Sequence, residues 1–147
     1  MSLQGPIIII EDDEDDREFY TNTFDNLKIE NEIIIFDNAE EAYKFLETTE
    51  KKPFIIISDI NLPGISGLEF KKKIMANPYL KRKSIPFIYV TTSNDKNAID
   101  IAYEMMVQGY FVKPNSVTEL STLLSRLIEY WKLCKHPNSP QDLRYGV

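Results

Sequence analysis

Glu11, Asp12 and Asp13 form one acidic step in the chain, and Asp59, with Asn61 two residues on, forms another. A hydroxyl pair, Thr91-Thr92, and an amine, Lys113, followed by Pro114, complete the side chains best suited to chemistry. Three or more carboxylates brought together repel, and their pKa values rise unless a cation holds them. Hard oxygen donors with room for water suit magnesium, typically completed by phosphate oxygens. An ammonium and a hydroxyl opposite such an ion can hold the remaining oxygens of a phosphoryl group. Phosphoryl transfer needs that positioning and charge neutralisation more than covalent help. Singly, each signal has an ordinary structural explanation. The acidic run from Glu11 to Asp16 suits a helix start, where the dipole favours negative charge, and Asp59 can cap a turn. Thr91 can end a strand, Lys113 can lie on the surface, and Tyr110 can fill core. His136, the one histidine, falls in the tail and is no catalytic candidate.

The elements that must position these residues alternate from end to end. Pro6 to Ile10 is apolar and β-branched, as a strand covered on both faces should be. A helical pattern follows over 15–27, with Phe19, Tyr20, Thr23, Phe24 and Leu27 on one stripe. Glu32 to Phe36 reads as a second strand, and Asn38 with Glu41 starts a helix through Leu46. Phe54 to Ser58 is a third strand ending at Asp59; Asn61-Leu62-Pro63-Gly64 is turn chemistry, and Ser66 with Glu69 caps the next helix. Ile85 to Val90 is a fourth strand, a helix spans about 94–106, and Tyr110 to Val112 is a fifth. Ser116 with Glu119 caps a last helix striped by Leu120, Leu123, Leu124, Leu127, Ile128 and Trp131.

Five strand–helix units in strict alternation specify a parallel sheet with right-handed crossovers and helices on both faces. The expected fold is a flavodoxin-like, doubly wound α/β sandwich: five parallel strands in the order 2-1-3-4-5 with five helices. In such sheets ligands bind beyond the carboxyl ends of the strands. Glu11, Asp59, Thr91 and Lys113 each follow or end one strand, so they converge on one rim.

Bulk properties narrow the function classes. The chain has 147 residues, 43% hydrophobic and 27% charged, as a single soluble domain should. A net charge of -6 argues against a surface built to neutralise nucleic-acid backbone. Two small basic clusters, Lys71-Lys72-Lys73 and Lys81-Arg82-Lys83, read as solvated surface. The lone Cys134 asks for no oxidising compartment, and no apolar run is long enough for a bilayer. The expectation is a cytoplasmic protein with no membrane segment. Residues 1–5 read as a tag remnant or disordered start, 6–135 as the domain, and 136–147 as a loose tail.

Taken together, Ile8 to Asp13, Ile57 to Gly67, Tyr89 to Thr92 and Gly109 to Pro114 resemble the receiver domains of two-component response regulators in order and spacing. The single-domain, chemotaxis type is the better match. The helix bearing Trp131 and the proline-containing tail also resemble phytochrome-associated receivers, more weakly. The resemblance implies that Asp59 accepts a phosphoryl group from a phosphohistidine on a sensor histidine kinase or phosphotransfer protein. It implies a magnesium ion held by Glu11, Asp12, Asp59 and the backbone carbonyl of Asn61, with Asp13 outside the first set of ligands. Lys113 would pair with Asp59 and then with the phosphoryl group, and the Lys113-Pro114 bond is cis in the family. Thr91 would be the switch hydroxyl and Tyr110 the aromatic that follows it. Asn61 and Ser93 would tune dephosphorylation. The output surface would be the fourth helix, fifth strand and fifth helix, read by a downstream protein of unknown identity. The C-terminal helices could also form a homodimer face.

Two departures from the family pattern matter, the first for access to Asp59 and the second for that surface. Thr92 stands where a smaller residue is common. Met106-Val107 replaces a Gly-Ala pair, and Met suits the left-handed position past a helix end poorly. The helix before it is therefore expected to end differently. With no output module in the sequence, a stand-alone receiver is expected, signalling rather than turning over a substrate. The rival readings are a magnesium-dependent phosphatase with an aspartyl nucleophile and a receiver-like module that never takes phosphate. The phosphatase would want an acid where Asn61 stands.

Overall fold

The computed structural model describes residues 3–136. Five strands, β1 (Ile7–Ile10), β2 (Ile33–Phe36), β3 (Ile55–Ser58), β4 (Phe87–Thr91) and β5 (Gly109–Val112), form one parallel sheet in the order β2-β1-β3-β4-β5. The helices between and after them are α1 (Glu14–Asn26), α2 (Ala39–Thr48), α3 (Gly67–Ala76), α4 (Pro78–Lys83), α5 (Lys96–Glu104) and α6 (Val117–Leu133). The expected strand order holds, but there are six helices among the described residues, not five. The extra one, α4, is a single short unit. Asn77 caps it, accepting from the amides of Tyr79 and Leu80, and Pro78 occupies its first turn. Six residues are too few to show helical periodicity, although the Asn-Pro start is a helix signal.

Side chains alternate across a strand, and β1 shows what that does to a run of four isoleucines. Ile8 and Ile10 join a core with α2, α3, α4 and α5; Ile7 and Ile9 join a second core with α1 and α6. All four are fully buried, and each such side chain contributes roughly 2 kcal/mol of burial free energy. Ile7 pairs with Ile33 on one side and Ile55 on the other. Gly5 sits just before β1, where a Cβ would lie 1.7 Å from the Lys52 carbonyl oxygen, so only glycine fits.

The expected caps are present at Asn38, Ser66 and Ser116, whose side chains accept from the amides of Glu41, Glu69 and Glu119. Helix α5 ends through a left-handed residue, although Met stands at that position. Met106 takes the left-handed conformation (φ 63°). Its amide reaches the Tyr103 carbonyl and that of Val107 reaches Ala102, the two bonds of a Schellman termination. Among the described residues no peptide bond is cis, so Lys113-Pro114 is trans, contrary to the family-based expectation.

Both ends of the described chain pack onto the domain. The Leu3 carbonyl accepts from Asn31 Nδ2 and Lys132 Nζ at 2.9 and 2.6 Å. His136, expected to be loose, is buried with its ring 5.6 Å from Phe54 and Nε2 2.8 Å from the Trp131 carbonyl. The remainder of the expected tail, 137–147, lies outside the described residues. Among those described, no helix is long and apolar enough to cross a membrane.

Candidate metal and phosphoryl site

The sheet's hydrogen-bond ladder runs on into the residues picked out by chemistry. The Glu11 amide donates to Phe36, that of Asp59 to Ile10, and that of Lys113 to Thr91. Three of the side chains therefore start from backbone fixed by strand pairing rather than from free loop, which gives the site its precision. Gly67 tightens it further. A Cβ there would lie 2.1 Å from the Asp59 carbonyl oxygen, so glycine lets α3 begin directly against the Asp59 backbone. Its carbonyl accepts from the buried Tyr89 hydroxyl at 2.6 Å.

Lys113 is the hub. Its Nζ lies 2.8 Å from Asp16 Oδ2, 2.9 Å from Glu11 Oε1 and 3.3 Å from Asp59 Oδ2, with its side chain 9% exposed. Asp59 is also held by the Ile60 amide at 2.6 Å and, at longer range, by the Asn61 amide at 3.4 Å. Burial alone would raise the Asp59 carboxyl, but the Thr91 hydroxyl, the Lys113 charge, Glu11 and the Ile60 amide together hold it below the usual range. Burial likewise opposes the charged form of Lys113, yet its bonds to Asp16 and Glu11 outweigh that and raise it. Glu11 goes the other way: burial first, then the Asp16 carboxylate, push it up to about 9 against the pull of Lys113. Asp16, half-buried, is held low by its bonds to Glu11 and Lys113 despite burial.

The donor set fits a hard divalent cation. Carboxylate oxygens of Glu11, Asp12 and Asp59 lie within 4.8 Å of one another, and the buried Glu11 Oε2 has no hydrogen-bond partner. Leaving such an atom without a partner costs about 1–3 kcal/mol, which a cation would offset. Asp13 stands apart as the cap of α1, accepting from the Asp16 amide at 3.0 Å.

The switch candidates lie on the next two strand ends. Thr91 is fully buried and its Oγ1 accepts from the Ser93 amide at 3.3 Å. The Tyr110 hydroxyl donates to the Ser93 carbonyl at 2.8 Å, and its ring is tilted against Tyr89. Thr92 is exposed. Sequence reasoning missed Asp16, assigned there to a helix-start acidic run, and Arg17, whose Nη1 donates to the carbonyls of Asp12 and Glu11 at 2.8 and 3.2 Å. Glu40 was also missed; it secures the loop after Asp59 by accepting from the Ile65 amide at 2.9 Å.

With this geometry in place, a profile of the response regulator receiver domain matches residues 7–125. The chain belongs to that family and is a receiver of a two-component response regulator. It is 28% identical over 130 residues to the response regulator Rcp1 of Synechocystis sp., covering 85% of this chain and 87% of Rcp1. Among solved structures it is similar to the phosphorylated cyanobacterial phytochrome response regulator RcpA, with a TM-score of 0.83 and 25% identity over 92% of this chain and 99% of RcpA. It is also similar to the manganese-bound form of Rcp1, with a TM-score of 0.79 and 28% identity over 90% of this chain and 99% of that one.

Proposed function

We propose that Asp59 is the phosphoacceptor of this receiver and that Glu11, Asp12, Asp59 and the Asn61 carbonyl hold the magnesium ion the reaction needs. The observation that carries this reading is the convergence of Lys113, Thr91 and the acid cluster on an Asp59 carboxyl held ionised. Similarity to a manganese-bound receiver supports the divalent site. An ionised carboxylate is the form able to attack phosphorus. The new Asp59 O–P bond forms as the donor's P–N bond breaks, and the histidine leaves with the electron pair and regains a proton. When bound, the ion supplies charge neutralisation on the phosphoryl oxygens. Lys113 then moves its pairing from the carboxylate to the phosphoryl group, and the Thr91 hydroxyl turns from Asp59 to a phosphoryl oxygen.

The switch follows from one shared segment. Thr91 bonds the Ser93 amide and Tyr110 bonds the Ser93 carbonyl, so a shift of Thr91 toward phosphate reaches Tyr110 through a single residue. Added negative charge and three acceptor oxygens bias that segment. The face of α5, β5 and α6 carries the output to a partner protein. Exposed Tyr130 and Leu133 on α6 suit a second copy of the chain. Asn61 and Ser93 flank the path of attacking water and set the phosphoryl lifetime. The donor is a histidine kinase or a phosphotransfer protein in the cytoplasm, and the chain's own chemistry is limited to taking phosphate from small donors and losing it to water.

The test is incubation with acetyl phosphate and magnesium, followed by intact mass. Wild type should gain one phosphoryl adduct that chelation prevents, and Asp59→Asn should gain none. A wild-type chain that stays unmodified, or a mutant modified as readily, would sink the assignment.

A further inference from the structure

A partly open pocket lies at the opposite end of the sheet, where the strands begin. A cavity of about 390 Å³ is lined mainly by apolar side chains, among them Ile74, Met75, Leu80, Phe87 and Met105. Its volume falls within the roughly 300–1,000 Å³ of small-molecule sites. One lining residue is out of keeping with the rest. Lys71, on α3, is 8% exposed, although lysine is almost never buried without a partner. No carboxylate of the described residues pairs with it; its ammonium instead faces the Phe87 ring, 5.2 Å from the centroid.

The surroundings also favour an anion. Helices α3 and α4 pack together and carry Lys71, Lys72, Lys73, Lys81, Arg82 and Lys83, six of the 17 basic residues in a chain of net charge -6. Glu69 is the one acid on the two helices. A patch of one sign raises the local concentration of opposite charge. The basic clusters that read from sequence as plain solvated surface thus flank a pocket lined by a largely buried lysine.

We propose that this cavity binds a small monocarboxylate with an apolar body, its carboxylate paired with Lys71 and its hydrocarbon against Ile74, Met75, Leu80 and Phe87. A neutral apolar ligand would cover the Lys71 ammonium without giving it an anionic partner. A phosphate dianion would lose its hydration against aliphatic walls, at large cost. A carboxylate carried on hydrocarbon satisfies both parts of the cavity. The site shares no residue with the Asp59 cluster, so it stands or falls independently of phosphorylation.

Calorimetric titration of the full chain with octanoate, and with octanamide as its neutral counterpart, tests the proposal. Octanoate should bind saturably and about tenfold more tightly than octanamide, the factor expected for one charge-assisted hydrogen bond. Lys71→Met should remove that advantage and leave octanamide binding unchanged, while Lys72→Met, at an exposed neighbour, should leave octanoate binding as in wild type. Methyl resonances of Met75 and Met105 should shift on octanoate addition. A cooperative urea transition reports that each variant is folded, and Lys71→Gln replaces Lys71→Met if the latter fails that check. No saturable octanoate binding, equal affinity for the amide, undiminished binding by the folded Lys71 variant, or methyl shifts confined to other parts of the domain would each overturn it.

Discussion

Lys113 and Lys71 are buried to a similar degree at opposite ends of one sheet, and their ionisation is displaced in opposite directions. Burial disfavours the ammonium of both. At Lys113 three carboxylates reverse that effect and the charged form is reinforced. At Lys71 no acid of the described residues answers, and the pKa falls below the ordinary lysine value through desolvation. The difference lies in what each end of a parallel sheet presents. Where strands end, Glu11, Asp59 and Lys113 follow the last strand positions and face one another. Where strands begin, Ile85, Pro86 and Gln108 lead in, and the charge comes from a helix. Depth of burial fixes only the size of the problem; the neighbouring elements decide whether it is solved by pairing.

Removing the hub should give the largest effect. Lys113→Met leaves ionised carboxylates facing one another, and urea unfolding without metal should show a loss of about 3 kcal/mol, the range for one partner taken from a buried pair. Magnesium should recover part of it; an unchanged midpoint would break the contrast with Lys71. Asp16→Asn sharpens the same side. Because Asp16 is partly exposed, its bond to Lys113 should be worth only about 1 kcal/mol in the same measurement. Lys71→Met should act in the opposite sense and stabilise by about 1 kcal/mol at pH 7, since an unpaired buried cation is replaced by an apolar chain. The depressed pKa means the unfolded chain binds more protons there than the native one. Wild-type stability therefore rises with pH through that window, and the advantage of Met should fade as the pH approaches the unfolded-lysine value near 10.4. A gain that persists at that pH would remove ionisation as its cause. At the exposed limit, Lys96→Ala breaks a surface pair with Asp100 and should move stability by no more than about 0.5 kcal/mol.

Much of this was legible beforehand because strand ends and acid-rich motifs are local. Glu11, Asp12, Asp59, Thr91 and Lys113 were placed on one rim from alternation alone, and the structure brings them together. Asp16 was not legible, since an acid in the first turn of α1 already has a sufficient explanation in the helix dipole. Only the partner across the sheet, 97 residues away, gives it another. Met106 misled for a related reason. Propensity disfavours it at a left-handed position by roughly 1–2 kcal/mol, but two backbone bonds at the end of α5 hold it there. Lys71 was hidden among its neighbours Lys72 and Lys73, which are exposed, and nothing in three consecutive lysines tells which one turns inward.

The run of isoleucines in β1 has a consequence for how the chain finds its alignment. Ile7 to Ile10 lie between Ile33 to Ile35 and Ile55 to Ile57, so sliding one strand by a residue exchanges isoleucine for isoleucine on both faces. A pattern that is hydrophobic everywhere carries no count. The count has to be kept at the two ends, by the notch at Gly5 that accepts the Lys52 backbone and by Glu11, which must arrive opposite Lys113. A slipped sheet would hide as much oil as the native one and still lack the acid cluster. The polar rim that serves phosphoryl chemistry is thus also the index mark by which the apolar strands are correctly assembled.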